Sequence, residues 1–155
     1  MTPAIKAAKR SKTAFTVHEY EHEASEKSYG KEAAEKMGVA PDRVFKTLVA
    51  TGDGKDFYVA VVPVTRQLDL KLLAKAVGVK KAAMADGKDV ERVTGYVLGG
   101  VSPLGQKKRC RTVIDASAED LATMFVSAGR RGLEIELAPG DLATLTNAAF
   151  VTVAK

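Results

Sequence analysis

Strand-like and helix-like segments follow one another along this chain without the strand–helix alternation that builds a parallel sheet. Phe15, Val17 and Glu19 alternate with Thr16, His18 and Tyr20, a strand period of two. Phe45–Thr51 and Phe57–Pro63 are apolar runs around Gly52-Asp53-Gly54, and they predict a hairpin. Further strands are expected at Tyr96–Val101, Thr112–Asp115, Met124–Ser127, Leu133–Leu137 and Phe150–Val153. Helices fall between them. Thr2 and Pro3 suit an N-cap and first helical position, opening a helix to about Lys12. Ser28-Tyr29-Gly30 leads into KEAAEKM, which stops at Gly38, and Pro41 starts a brief helical turn. Leu70, Leu73, Ala74 and Val77 share helical spacing within Leu68–Val77, closed by Gly78. Shorter helices are expected at Asp86–Thr94, Ala118–Leu121 and Asp141–Leu145. The order is irregular, so the expected class is α+β. We expect a mixed, partly barrel-like β-sheet with short flanking helices, in a single domain over residues 1–155.

A chain of 155 residues with 46% hydrophobic content can bury its own core without disulfides or a metal. The apolar content excludes a disordered chain. No apolar stretch approaches the ~18 residues of a membrane span. The start, MTPAIKAAKRSK, has no apolar core of a secretory signal. The one cysteine, Cys110, excludes an internal disulfide and a multi-cysteine zinc site. A reducing, cytoplasmic address is the expectation. The 24 Lys+Arg against 19 Asp+Glu leave a net charge of +5, which suits an anionic partner but also many proteins without one.

The most informative segment is TGYVLGGVSPLGQKKR, Thr94–Arg109. Gly99 and Gly100 remove side chains, which lets a backbone approach a ligand closely. Amide groups of such a turn, through Ser102, can hold a carbonyl oxygen as it becomes an oxyanion. Lys107, Lys108, Arg109 and Arg111 follow and suit phosphates. The same residues can equally form a plain turn and a solvated edge. Lys46 shares a strand face with Leu48 and Ala50, while Phe45, Thr47 and Val49 face the other way. A lysine there either binds an anion in a cleft or extends its ammonium to water. His18 and His22 are the only histidines, and no further ligand suggests a metal site. There is no GxSxG elbow and no P-loop. Cys110 lies in KKRCR without a partner histidine nearby in sequence and is read as a bystander. Ser127-Ala128-Gly129-Arg130-Arg131-Gly132 is a basic turn that suits a nucleic-acid backbone or solvent. Aromatics at 6%, with no Trp, argue against a base-stacking platform.

Taken in order, several segments resemble the YbaK/EbsC family of trans-editing aminoacyl-tRNA deacylases. They are Thr2–Ala4, the strand around Tyr20, FKTL at Phe45–Leu48, QLDLK at Gln67–Lys71 and KKAAMAD at Lys80–Asp86. TGYVLGGVSPLGQKKR, SAGRRGLEIEL at Ser127–Leu137 and PGDL at Pro139–Leu142 complete the match. The resemblance covers essentially the whole chain. FKTL alone is weak, whereas the TGY-GG-SPLGQKK block with QLDLK is specific. Related alanyl-editing domains share the lysine but not the SPLGQKK block, which points to the cysteine-specific branch.

The resemblance implies a barrel-like α+β fold and removal of cysteine from mischarged Cys-tRNA(Pro), with Cys-tRNA(Cys) as a further candidate substrate. Cysteine and proline are close in size, and discrimination by volume is worth only ~1–3 kcal/mol, so a second sieve is useful. It implies Lys46 as the key functional residue and Gly100 as a group that binds or polarises the aminoacyl moiety. It implies Tyr20, Gly99, Ser102, Ser127, Arg130 and Glu134 as substrate-binding residues, with Glu134 standing where relatives often have Asp. Lys107, Lys108, Arg109 and Arg131 are the candidates for the tRNA backbone. No cofactor, metal, membrane or DNA is implied. The partners implied are the tRNA acceptor end and prolyl-tRNA synthetase. In this family the substrate's own thiol is thought to attack its ester carbonyl, forming a thiolactone, which accords with the missing Ser-His or Cys-His pair. The alternatives are a deacylase for another misacylated tRNA such as Ala-tRNA(Pro), and a non-catalytic tRNA- or synthetase-binding module.

Overall fold

The computed structural model describes residues 1–23 and 29–155. Ser28, the expected entry to the second helix, lies outside them. The chain begins with helix α1 (Pro3–Arg10), strand β1 (Phe15–Glu19) and helix α2 (Tyr29–Met37). A hairpin of β2 (Phe45–Gly52) and β3 (Asp56–Pro63) follows, then α3 (Leu70–Val77), β4 (Ala82–Met84) and α4 (Gly87–Thr94). The last part is β5 (Arg111–Asp115), β6 (Met124–Arg130), β7 (Leu133–Leu137), α5 (Pro139–Thr146) and β8 (Ala149–Val151).

Side-chain caps set the starts of α1, α3 and α4. The Ile5 amide donates to Thr2 Oγ1 at 3.2 Å, and Pro3 occupies the first turn, where its missing N–H costs nothing. Asp69 accepts from the Lys71 and Leu72 amides at 2.9 and 3.1 Å, so α3 starts after it and not at Leu68. Asp86 accepts from the Asp89 amide at 2.9 Å. Each cap contributes about 1 kcal/mol. Gly78 and Gly95, both left-handed, close α3 and α4.

The strands form two sheets. One is three-stranded and antiparallel, in the order β1-β7-β6. The other is five-stranded and mixed, in the order β4-β2-β3-β5-β8, with β3/β5 and β5/β8 parallel. A bridge between Val44 and Phe125 joins them, and they do not close into a barrel. The α+β class with a mixed sheet is therefore as expected, and the barrel-like closure reduces to this one junction.

Period-two alternation decides the packing. Phe45 and Val49 of β2 enter a core shared with Val61 of β3, Val126 of β6, Ile135 of β7, Ile5 of α1 and Leu142 of α5. Leu48 and Ala50, on the opposite face, meet Leu73, Ala74 and Val77 of α3. Burying a residue such as Leu73 stabilises by about 1.5–3 kcal/mol. A third, smaller cluster seats Ala33 and Ala34 of α2 on the junction residues Val44 and Phe125.

The expected strand at Tyr96–Val101 is not one. Gly95 and Gly99 take positive φ, and the Gly100 amide donates to the Val97 carbonyl at 3.0 Å, which closes a turn. Tyr96 turns inward and donates its hydroxyl to the Leu104 carbonyl at 2.6 Å, leaving Val97 and Leu98 exposed. Conversely, the three-residue β4 was too short to show a period. Among the described residues no helix is long and apolar enough to cross a membrane.

Candidate active site

A cleft of about 250 Å³ opens where the two sheets meet. The strand β2 supplies Lys46 and Thr47, β6 supplies Ser127, and β7 supplies Glu134. The loop after α4 adds Leu98, Gly99 and Val101, and Tyr20 and Arg131 close the side nearest β1. The topology explains the opening. β4 covers the far edge of β2 only from Ala50 to Gly52, so the Lys46–Leu48 stretch has no ladder partner there among the described residues. Ser127 and Glu134 stand opposite each other in the β6/β7 register, and a bulge between Ser127 and Arg130 ends the regular pairing.

The cleft holds ionisable groups in an apolar wall. Lys46 is half-buried and has no carboxylate within ion-pair distance among the described residues. Burial, helped by the Lys31 ammonium, lowers its pKa. Glu134 is 6% exposed, and burial pushes its carboxyl up from 4.5 to about 8. It is therefore largely protonated at neutral pH. Tyr20 is pushed up to about 12, first by burial and then by the nearby Glu134 carboxyl. Thr47 Oγ1 is buried without a hydrogen-bond partner among the described residues, a group that costs about 1–3 kcal/mol unless something binds it. Ser127 Oγ accepts from the Gly129 amide at 3.1 Å, and no histidine lines the cleft to take its proton. The site can therefore grip a polar group and stabilise developing negative charge, and among the described residues it offers no activated nucleophile of its own.

Residues 23–145 match the model of the aminoacyl-tRNA editing domain. The chain belongs to the aminoacyl-tRNA editing domain family. It is 42% identical over 153 residues, 98% of this chain and 92% of the relative, to EbsC of Enterococcus faecalis, named as a candidate Cys-tRNA(Pro)/Cys-tRNA(Cys) deacylase. It is 32% identical over 111 residues, 72% of this chain and 70% of the relative, to the uncharacterised YwhH of Bacillus subtilis. The fold matches a crystal structure described as a candidate trans-editing enzyme for prolyl-tRNA synthetase, with TM-score 0.84, 23% identity and coverage of 100% of this chain and 99% of that one. A hypothetical protein of known structure matches with TM-score 0.88 at 22% identity, covering 99% of both chains.

Of the residues singled out from the sequence, the editing domain brings Tyr20, Lys46, Gly99, Ser127, Arg131 and Glu134 to one cleft. Gly100 sits behind it. A Cβ there would lie 3.0 Å from the Arg130 Cα, so this glycine lets the turn rest against β6. Its amide is already used by Val97 and is not offered to a substrate. Ser102 is fully buried outside the cleft, its Oγ accepting from the Leu104 amide at 3.2 Å. Arg130, Lys107, Lys108 and Arg109 are exposed and do not line the cleft. Cys110 is outside it too. His18 contacts Glu136 at 2.8 Å and His22 contacts Glu32 at 2.6 Å. Among the described residues no cluster of three or more ligating side chains could hold a metal.

Thr47 and Leu98 were not singled out from the sequence. The only signal for Thr47 was a polar residue on the apolar face of β2. Behind the cleft, Arg43 contacts Glu136 at 3.3 Å and lies over the Phe125 ring at 5.0 Å, which ties the start of β2 to the other sheet.

Glu134 gives the editing domain a measurable pH dependence. Below pH 4.5 the folded and unfolded chains both carry the proton. Between about 4.5 and 8 the unfolded chain releases it while the folded one keeps it, so stability falls as pH rises across that window. Glu134→Gln is expected to flatten this fall. Urea midpoints at pH 5 and pH 8 test it, and an equal fall in both proteins would contradict the assignment.

Proposed function

We propose that this editing domain, residues 1–155 as one unit, removes cysteine from mischarged Cys-tRNA(Pro), with Cys-tRNA(Cys) as a second substrate. The observation that carries the reading is a small cleft in which, among the described residues, the Lys46 ammonium has no carboxylate at ion-pair distance and no protein nucleophile is activated. The identity to EbsC supports cysteine as the amino acid.

In this reading the substrate supplies the nucleophile. Its thiol sulfur attacks its own ester carbonyl, a C–S bond forms, and the C–O bond to the ribose breaks. The 3′ oxygen leaves with the thiol's proton, and water later opens the thiolactone to free cysteine. The protein folds the substrate into a near-attack shape, which replaces a search through many conformers. Lys46 binds the terminal nucleotide and adds positive potential at the oxyanion. The Gly99 turn lies against the carbonyl region. Tyr20, Ser127 and the protonated Glu134 contact the amino acid, and Arg131 approaches the RNA backbone. Prolyl-tRNA synthetase, which makes the mischarged substrate, is the proposed partner, and the cytoplasm is the place of work.

The test is hydrolysis of a panel of esters on the same tRNA(Pro). Cysteine should be released fastest. Faster release of alanine would make the domain an alanyl editor. Salt-sensitive RNA binding with no release of any amino acid would make it a binding module.

A further inference from the structure

A second cavity, of about 210 Å³, lies on the other side of the loop that borders the cleft. The end of α1 contributes Arg10, the loop contributes Pro103, Gln106 and Arg109, and Cys110 and Thr146 complete it. Two arginines from distant parts of the chain thus line one hollow. Neither has a carboxylate within ion-pair distance among the described residues. Lys9, on α1, and Lys107 and Lys108, on the loop, are exposed nearby in the chain. The α1 dipole works against an anion here, because its C-terminal end carries about half a negative charge. Two full positive charges exceed it. Gln106 Nε2 donates to the Ser102 carbonyl at 2.9 Å, which holds the loop in place.

The site is close to the cleft. Gly99 borders the cleft and Pro103 borders the second cavity, four residues along, so the chain separates them by at most about 14 Å. A short stretch of nucleic-acid strand spans that distance. We propose that the second cavity seats a phosphate of the RNA strand that leads away from the acylated 3′ end. Arg10 and Arg109 are its ligands, and an arginine pair suits phosphate oxygens because each guanidinium presents a planar fork of donors. The inference rests on the family's aminoacyl-tRNA substrate and not on which amino acid is removed.

The probe is an uncharged RNA hairpin copying the acceptor end with its single-stranded 3′ tail. Arg10→Gln with Arg109→Gln is expected to weaken its binding about tenfold and to reduce the slope of log affinity against log salt by about 0.7, the value for one phosphate of a single strand. Arg10→Lys with Arg109→Lys should recover most of both. Cys110 is the only cysteine and lines the cavity, so its alkylation rate reports occupancy. The hairpin should slow alkylation, and a hairpin with neutral methylphosphonate linkages in the tail should not. Unchanged affinity and slope in the double Gln variant would overturn the proposal. So would protection of Cys110 by inorganic phosphate at the same concentration as the hairpin, which would make the cavity a seat for free phosphate. Hairpin binding that needs Arg10 and Arg109 would stand even if the ester panel showed no release of cysteine.

Discussion

Lys46→Ala is expected to lower kcat/KM for deacylation by about a hundredfold while leaving the fold at least as stable. The two halves of that expectation come from the same fact. The ammonium is half-buried beside another cation and has no carboxylate partner among the described residues, so the folded chain bears a desolvation cost that none of them offsets. Such a cost persists where the charge is used on a bound molecule. A charge-assisted hydrogen bond lost from the transition state is worth about 1.5–3 kcal/mol, roughly ten- to a hundredfold and more in rate. Lys46→Arg should recover part of the rate, since the charge stays but the fork does not fit a site shaped for a point charge. The rate is read on the cysteine ester and the stability by urea denaturation. Full activity in Lys46→Ala would remove this residue from the site. A large loss of stability would make its role structural.

Gly105→Ala is expected to be the most damaging small change in the SPLGQ turn. A Cβ at Gly105 would lie 2.5 Å from the Pro3 carbonyl carbon and oxygen and 2.8 Å from the Ala4 nitrogen. These are backbone atoms at the start of α1 and cannot rotate aside. The residue also has φ of +66°, which costs an alanine about 1–2 kcal/mol. Relieving the clash shifts α1 and pulls Ala4, Ile5 and Ala8 from the shared core. The expected total is about 3 kcal/mol or more, the sum of the backbone strain and partial loss of one aliphatic side chain's burial. Gly54→Ala is the control. It has φ of +67° with nothing within 4 Å of the added methyl, so only the backbone strain applies. Equal urea midpoints for the two variants would contradict the tight seat of α1 on this turn.

These two positions also show what was legible in the chain. Lys46 stood out because a cation on an apolar strand face is a local contradiction that sequence alone exposes. The β2/β3 hairpin was equally plain, since both strands alternate and the turn residues lie between them. The Tyr96–Val101 segment misled because its apolar run resembles a strand, whereas its glycines bend the backbone into a turn. The sharpest case is LEIEL. Glu134 and Glu136 share one face of β7, and nothing in their spacing separates them. The fold does. Glu136 meets Arg43, Thr123 and His18, and its pKa lies below the ordinary value, chiefly through the Thr123 hydroxyl. Glu134, one turn of the pleat away, is enclosed by the cleft and keeps its proton. Likewise Gly100 and Ser102 belong to the specific motif, yet their contacts are with the protein itself. They shape the loop that Gly99 presents to the cleft.

The central claim is that the working nucleophile arrives with the substrate. Comparing Cys-tRNA(Pro) with Ser-tRNA(Pro) in single-turnover hydrolysis tests it most directly, because the two esters differ only in sulfur for oxygen. A hydroxyl is a far weaker nucleophile than a thiol near neutral pH. The account predicts rapid release of cysteine, with a thiolactone detectable early, and release of serine slower by at least about a hundredfold. Equal rates for the two esters would contradict it.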